Sequence, residues 1–454
     1  MTDLEFAAAK QRLRTQYAAL PAGAPVRLAK STSNLFRMRH PNPAAGLDVS
    51  AFDGVLSIDQ DAMTADVLGM TSYERLVDET LAYGLMPLVV PELKTITLGG
   101  AVTGLGIEAS SFRNGCPHES VVEMEVFTGD GRFVTATREG EHADLFRGFP
   151  NSYGTLGYAV RLTIQLERVQ RYVELRHTRF SDARSYFAAV EQVVLERSWR
   201  GIEVDFVDGT VFGADEMYLT TGRFVPVAPY VSDYTGRGIY YQSLRRRTRD
   251  YLTIRDYLWR WDTDWFWCSR ALGVQHPLVR PLLPRRLLRS DLYFKAVGFE
   301  RRHRLLNRAA ARMGRPDTEL VVQDVEVPVD RAAEFLEVFH REVGISPIWM
   351  CPLRQRDSER AWPLYALDPL TTYVNFGFWS SVELRPGERP DAHNRLVERL
   401  VTELGGRKSL YSSSFYDRDE FWALYNGAEY DVLKKTYDGE GRLLDLYDKC
   451  VRAR

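Results

Sequence analysis

The sequence predicts an α+β protein of two domains, on three observations. The chain has 454 residues, more than one average domain. Segments with a helical apolar period are interleaved with segments that alternate as strands do. A glycine-rich stretch at residues 91–115 sits between an apolar run and a predicted hairpin. Hydrophobic content of 45% and charged content of 26% are ordinary for a soluble globular chain. No run of 18 apolar residues predicts a membrane span. The N-terminal DLEFAAAKQRLRTQYAAL reads as an amphipathic helix with both charge signs, not as a signal peptide. Cys116, Cys268, Cys351 and Cys450 are scattered without CxxC spacing, which suits a reducing cytoplasm. The eight histidines form no HExxH and no pair at ligand spacing, so no metal site is expected.

Taken in order, residues 26–31 read as a short strand entering a polar loop of Lys30, Ser31, Thr32, Ser33 and Asn34. A helix follows over 72–84, with Ser72 as N-cap, leading into a strand at 86–90. The stretch PELKTITLGGAVTGLGIEASSFRNG comes next. Gly99, Gly100, Gly104 and Gly106 remove side chains where a backbone turns sharply or approaches something closely. Backbone N–H groups and the small hydroxyls beside them suit a phosphate-bearing or flat cofactor; a purely structural loop is the plain alternative. The spacing is neither GxGxxG nor GxxxxGK[ST]. Residues 121–136 form a hairpin about Gly129-Asp130-Gly131. A D-L-F triplet, a G-x-L-G containing Gly154 and Gly157, and an alternating strand at 158–166 complete this half.

Beyond residue 171 the predicted helices are 182–197, 330–343 with Asp330 as cap, and 390–404, with strands at 202–207, 320–327 and 371–378. An aromatic-rich helix is expected over 418–437, where Lys434 and Lys435 are candidates to reach a ligand. Residues 236–315 hold eighteen Arg and one Lys against six acidic residues, so the rest of the chain is net acidic. Four of the nine tryptophans (Trp259, Trp261, Trp265 and Trp267) lie in the same stretch. Arg with Trp and Leu suits an anionic membrane surface, against a plain solvated face or, less well, nucleic acid.

The order "glycine stretch, hairpin, D-L-F, G-x-L-G, alternating strand" resembles the vanillyl-alcohol-oxidase type of FAD proteins, which share the PCMH-type FAD domain. More narrowly, VVPELKTITLGGAVTGLGIEASSFRNG looks like the matching stretch of the delta-24 sterol reductases. Val321-Val322-Gln323-Asp324, Pro347-Ile348-Trp349-Met350-Cys351-Pro352 and Arg418-Asp419-Glu420-Phe421-Trp422 are similar to the same family. The resemblance runs from about residue 27 to 449. It implies a two-domain PCMH-type FAD-binding fold: an FAD domain at 1–170, an α+β cap (substrate) domain at 171–409, and a segment at 410–454 returning to the FAD domain. It implies FAD contacts at Lys30, Ser31, Thr32, Ser33 and Asn34. Along the second stretch it implies them at Pro91, Glu92, Thr97, Gly99, Gly100 and Thr103, then at Gly104, Gly106, Ile107, Ser110, Ser111 and Gly115, and later at Gly154 and Gly157. The loop 30–34 has no His, and Phe112 stands where the family has one, so FAD is expected to be non-covalent, with NADPH as electron donor. A membrane-anchoring segment like that of animal and plant members is not expected.

What the resemblance implies of activity is the reduction of an isolated lipid C=C. No neighbouring carbonyl stabilises a carbanion, so such an alkene is protonated first, and hydride follows onto the cationic carbon. The site then needs an acid, dryness, and aromatic faces or carboxylates for the cation. Glu108, in the family's G-I-E, is the first candidate acid. Tyr257 is a second, and Arg255 and Arg260, with it in an R-x-Y-x-x-R pattern, are candidate phosphate holders. A 10-methylene fatty acyl chain, reduced to the 10-methyl chain beside a lipid methyltransferase, is the favoured substrate. A sterol side chain is the alternative. An alcohol or sugar oxidase on the same fold, or a non-enzymatic flavin-binding partner, completes the set. The expected place is the cytoplasm, peripheral to the inner face of the membrane, with no nucleic-acid partner.

Overall fold

The computed structural model describes residues 2–30, 36–37, 46–236, 238–295 and 316–452. The first body is built on a six-stranded sheet. Its order is Val55–Asp59, Thr64–Leu68, Gly157–Arg168, Val121–Thr128 and Phe133–Thr137, with Leu85–Pro87 also paired to Gly157–Arg168. The hairpin 121–137 and the alternating strand are thus neighbours, and every pair in this sheet is antiparallel. The helix Tyr73–Leu81 begins where expected, since the Ser72 hydroxyl accepts from Arg75 N. The strand before the glycine stretch is shorter than predicted. Leu88 O is taken by Ser110 Oγ and Asn114 Nδ2, both at 2.8 Å, so the chain turns there instead of pairing onward.

The second body is an eight-stranded antiparallel sheet. Its order is Arg249–Thr253, Tyr172–Phe180, Glu216–Val225, Phe206–Gly213, Ile348–Leu353, Tyr373–Glu383, Thr318–Pro328 and Arg407–Lys408. One face carries Val325, Met350, Phe376 and Phe378 into a core shared with three helices, Ala183–Glu196, Ala332–Glu342 and Ala392–Glu403. Alternation along the strands turns Asp324, Trp349, Asn375, Gly377 and Trp379 to the other face. That face looks toward the first body. Asp182 caps its helix, through a bond from Ser185 N, but Asp330 does not: a single tight turn, Val329–Arg331, intervenes before Ala332–Glu342.

The C-terminal helix predicted as one is two, Arg418–Leu424 and Gly427–Tyr437. Asn426 breaks it: the residue sits at φ 53°, and its side chain accepts from Glu429 N to start the second helix. This segment grips the first body. Lys434 Nζ bonds Thr155 O and pairs with Asp438, and Lys449 Nζ bonds Tyr153 O at 2.5 Å. No described helix is long and apolar enough to cross a membrane.

The basic stretch departs most from expectation. Trp259, Trp261, Trp265 and Trp267 are all buried instead of offered to a surface: Trp261 stacks on Phe266, Trp267 packs against Phe266 and Trp379, and Trp265 stacks on Phe36. Arg280 is buried on Asp264, and Arg289 clamps Glu74 of the first body. Exposed along the stretch are Leu272, Leu278, Val279, Leu282 and Leu287 beside Arg270, Arg285 and Arg286, and, earlier in it, Arg245, Arg246, Arg247, Arg249 and Arg255. Residues 296–315, the rest of the predicted basic stretch, lie outside the described residues.

Candidate functional site

A cavity of about 550 Å³ lies between the two bodies. The glycine stretch forms one wall. Thr97 caps the short helix Leu98–Thr103 by accepting from Gly100 N. Gly99 lets this helix sit hard against the sheet: a Cβ there would lie 2.8 Å from Gly69 O and 3.1 Å from Ala159 O. The stretch is also tied to the G-x-L-G loop, through Tyr153 N to Thr103 O at 2.9 Å and Gly154 N to Thr103 Oγ1 at 3.0 Å. Lys30, Pro91, Glu92, Thr97, Gly99 and Gly100 line the cavity, as do Thr103, Gly104, Gly106, Ile107, Glu108 and Gly154.

Other expected contacts are not brought there. Ser110 and Ser111 are buried and occupied, by Leu88 O and Glu108 N respectively. Gly115, at φ 68°, makes a turn against the Glu119 carboxylate, and Gly157 packs on Phe127 O at the start of its strand. Ser31, Thr32, Ser33 and Asn34 lie outside the described residues. Lys434 serves the C-terminal anchor and Lys435 is exposed; Lys449, which no local sequence signal marks, lines the cavity instead.

Behind the glycine stretch is a buried charge cluster. Glu108 Oε1 accepts from Glu92 N at 2.9 Å. Arg260 Nη2 lies 2.6 Å from Asp208 Oδ2 and 3.3 Å from Glu92 Oε1, and its guanidinium covers the Tyr257 ring at 4.1 Å. Two carboxyls, Glu92 and Asp208, therefore share one buried arginine, and Glu108 joins the cluster through Glu92. Burial, then the neighbouring Glu92, pushes Glu108 well above the usual carboxylate range. Burial raises Glu92 to about 8 against the pull of Arg260. Burial thus favours the protonated form of both, and both residues reach the cavity wall. Tyr257 and Arg260 stand one layer back, against a far smaller void behind Glu92 and Glu108. Arg255 is remote: it is half-exposed and ion-paired with Asp78 at 2.7 Å.

The opposite wall is the cap sheet, with Asp324, Trp349, Asn375 and Trp379, closed by Trp265, Phe266 and Tyr411. Phe266 stacks on Trp379 at 4.4 Å between ring centres. Asp324 accepts from Asn375 Nδ2 at 3.0 Å; burial raises it only to about 6, because Tyr411 and Asn375 both favour its ionised form. Asp324 and Trp349 lie within the motifs at 321–324 and 347–352, and local sequence assigns neither a role. Strand alternation over 320–327 fixes which residues share a face, but not which face meets the cavity.

The residues present fit FAD. Among the residues at the cavity wall, Arg37 Nη2, Tyr153 Oη, Trp349 Nε1 and Asn375 Oδ1 are buried polar atoms without a hydrogen-bond partner in the protein. Such unspent capacity suits a large polar ligand with a flat ring. The glycine wall offers small residues and a capped helix start, and no His or Cys is among the described residues that line the cavity.

A family model described as an FAD binding domain matches residues 14–137. The Delta(24)-sterol reductase of Mus musculus is 27% identical over 413 residues, covering 88% of this chain and 76% of that protein. The Delta(24)-sterol reductase of Arabidopsis thaliana is 26% identical over 461 residues, covering 90% and 77%. Cytokinin dehydrogenase 10 of Oryza sativa subsp. japonica is 26% identical over 202 residues, covering 41% and 36%.

Proposed function

We propose that this chain, an FAD-dependent oxidoreductase of the PCMH-type fold, reduces an isolated C=C of a lipid with electrons drawn from NADPH. The observation that carries the reading is the two-sided cavity: a glycine wall backed by proton-bearing carboxyls faces an apolar, aromatic sheet. Bound FAD, once reduced, supplies hydride. The remaining work falls to the chain. Lys30, Thr97, Gly100, Thr103, Gly104 and Gly154 hold the cofactor, and Arg37 and Lys449 bring positive charge to the same wall. Glu108 keeps a proton at neutral pH and gives it to the less substituted alkene carbon, and Glu92 shares the proton pool. Trp265, Phe266, Trp349 and Trp379 exclude water and present π faces to the cationic carbon. Tyr257 and Arg260 act behind Glu92, holding the carboxyl cluster in place.

Two substrates satisfy this chemistry, because both protonate to a tertiary cation. A sterol side chain has the support of the similar sterol reductases. A 10-methylene fatty acyl chain, delivered by a lipid methyltransferase, has the support of the shared alkene chemistry. Exposed Leu278, Leu282 and Leu287, with Arg270, Arg285 and Arg286, serve as the contact with an anionic bilayer at the cytoplasmic face. The deciding experiment offers both lipids to the protein and reads their masses. A gain of two hydrogens on one of them names the substrate; no gain on either overturns the proposal.

A further inference from the structure

Three neighbouring strands place Trp349, Gly377 and Asp324 in one cross-strand row: Asp324 faces Gly377, and Gly377 faces Trp349. Asn375 and Trp379 flank Gly377 on the same strand and the same face. The glycine is required there. A Cβ at position 377 would lie 2.5 Å from Asp324 Oδ1 and 2.6 Å from the Trp379 ring. Its absence lets a carboxylate and an indole share one patch of cavity wall. The carboxylate is held by donors: Asn375 Nδ2 at 3.0 Å, and the Tyr411 hydroxyl beside it, which itself accepts from Trp379 Nε1 at 2.8 Å. No arginine or lysine is paired with Asp324 among the described residues, in contrast to Glu92 and Asp208, which both meet Arg260. A partly buried carboxylate that receives hydrogen bonds yet lacks a paired arginine or lysine among the described residues lies against aromatic faces at the cavity wall.

We propose that Asp324 is the carboxylate that faces the positive charge developing on the substrate, with Trp349, Phe266 and Trp379 as the aromatic wall beside it. This rests on the lipid-alkene reading above. In the step concerned, the alkene π pair takes the proton of a neutral carboxyl. A C–H bond forms, that acid becomes a carboxylate, and the second carbon is left two electrons short. Hydride from the reduced flavin, replenished by NADPH, then closes the second C–H bond. The cation exists between these events, and Asp324 is the ionised group placed to stabilise it. The two walls thus divide the labour: a carboxyl kept neutral gives the proton, and a carboxylate kept ionised meets the charge.

The test compares Asp324→Asn with the wild-type holoprotein, because the amide keeps the size and removes the charge. Two lipid analogues serve as probes, one with a tertiary amine at the cationic carbon and one a saturated neutral isostere. Binding is read from tryptophan fluorescence, and flavin reoxidation by the alkene is followed separately. The wild type should prefer the amine by at least roughly tenfold; Asp324→Asn should lose that preference, keep its affinity for the neutral analogue and its reduction by NADPH, and reoxidise on the order of 10² more slowly. An amine preference that survives in Asp324→Asn, or is missing from an active wild type, overturns the assignment alone. A wild type that no alkene lipid reoxidises overturns the lipid-alkene reading, and the assignment with it.

Discussion

Glu108 and Asp324 are both carboxyls on one cavity, and their surroundings push them apart. Glu108 is desolvated beside Glu92, which raises it well above the usual carboxylate range; Asp324 receives donors that hold it to about 6. The pH profile of kcat/KM should therefore be bell-shaped, rising through about 6 as Asp324 ionises and falling as the Glu92–Glu108 pair loses its proton, Glu92 standing at about 8. Asp324→Asn should erase the acid limb, which steady-state kinetics between pH 5 and 9 will check. Glu108→Gln should keep FAD and its reduction by NADPH, yet slow alkene reduction by roughly 10²–10⁴. Stability has a definite sign as well. The folded state holds these protons above the ordinary Glu value of about 4.3, so stability falls as pH rises through the window between that value and the raised ones. Glu108→Gln should flatten this slope in urea melts at pH 5 and 8, and an unchanged slope would place the raised group elsewhere.

The glycine stretch works as an element because it is pinned twice, by Gly99 against Gly69 and Ala159 and by Thr103 against the Tyr153–Gly154 backbone. Gly104 lies where a Cβ would come 3.0 Å from Gly100 O and 3.3 Å from the Tyr153 ring. Gly104→Val should thus lose FAD while the cap core about Phe335, Phe376 and Val401 stays folded. Flavin absorbance against far-ultraviolet circular dichroism separates the two effects. Much of this element was legible in the sequence, since glycines, a capping threonine and the following hairpin are local signals. The charge cluster was legible only in part: Glu92 and Glu108 are near each other in sequence, but Asp208 and Arg260 reach them by tertiary packing. The tryptophans of the basic stretch misled, because composition does not tell a surface from a wall. Trp349 and Trp379 arrive from distant strands and pack on Phe266 and Trp267 within that stretch.

At the scale of the whole molecule, the cap closes over the glycine wall, and the C-terminal helices lock the first body through Lys434 and Lys449. The exposed leucines and arginines lie on the cap segment that supplies Trp265 and Phe266 to the cavity, and the proposed bilayer contact rests on them. Binding to anionic liposomes should be salt-sensitive, each Arg contributing on the order of 1 kcal/mol. It should vanish when Arg270, Arg285 and Arg286 become Glu, whereas Arg289 is left out of that change because it holds Glu74. Equal binding to neutral and anionic liposomes would refute the membrane reading. The central claim, that FAD in this cavity passes hydride to an isolated lipid alkene, has one direct measurement. The holoprotein is reduced anaerobically with NADPH and then given a sterol or methylene fatty acyl lipid, with flavin absorbance and lipid mass read together. The account predicts that the yellow colour returns at the rate at which one lipid gains two hydrogens. A flavin that stays reduced with every alkene lipid, yet is reduced directly by an alcohol or a sugar, would contradict it.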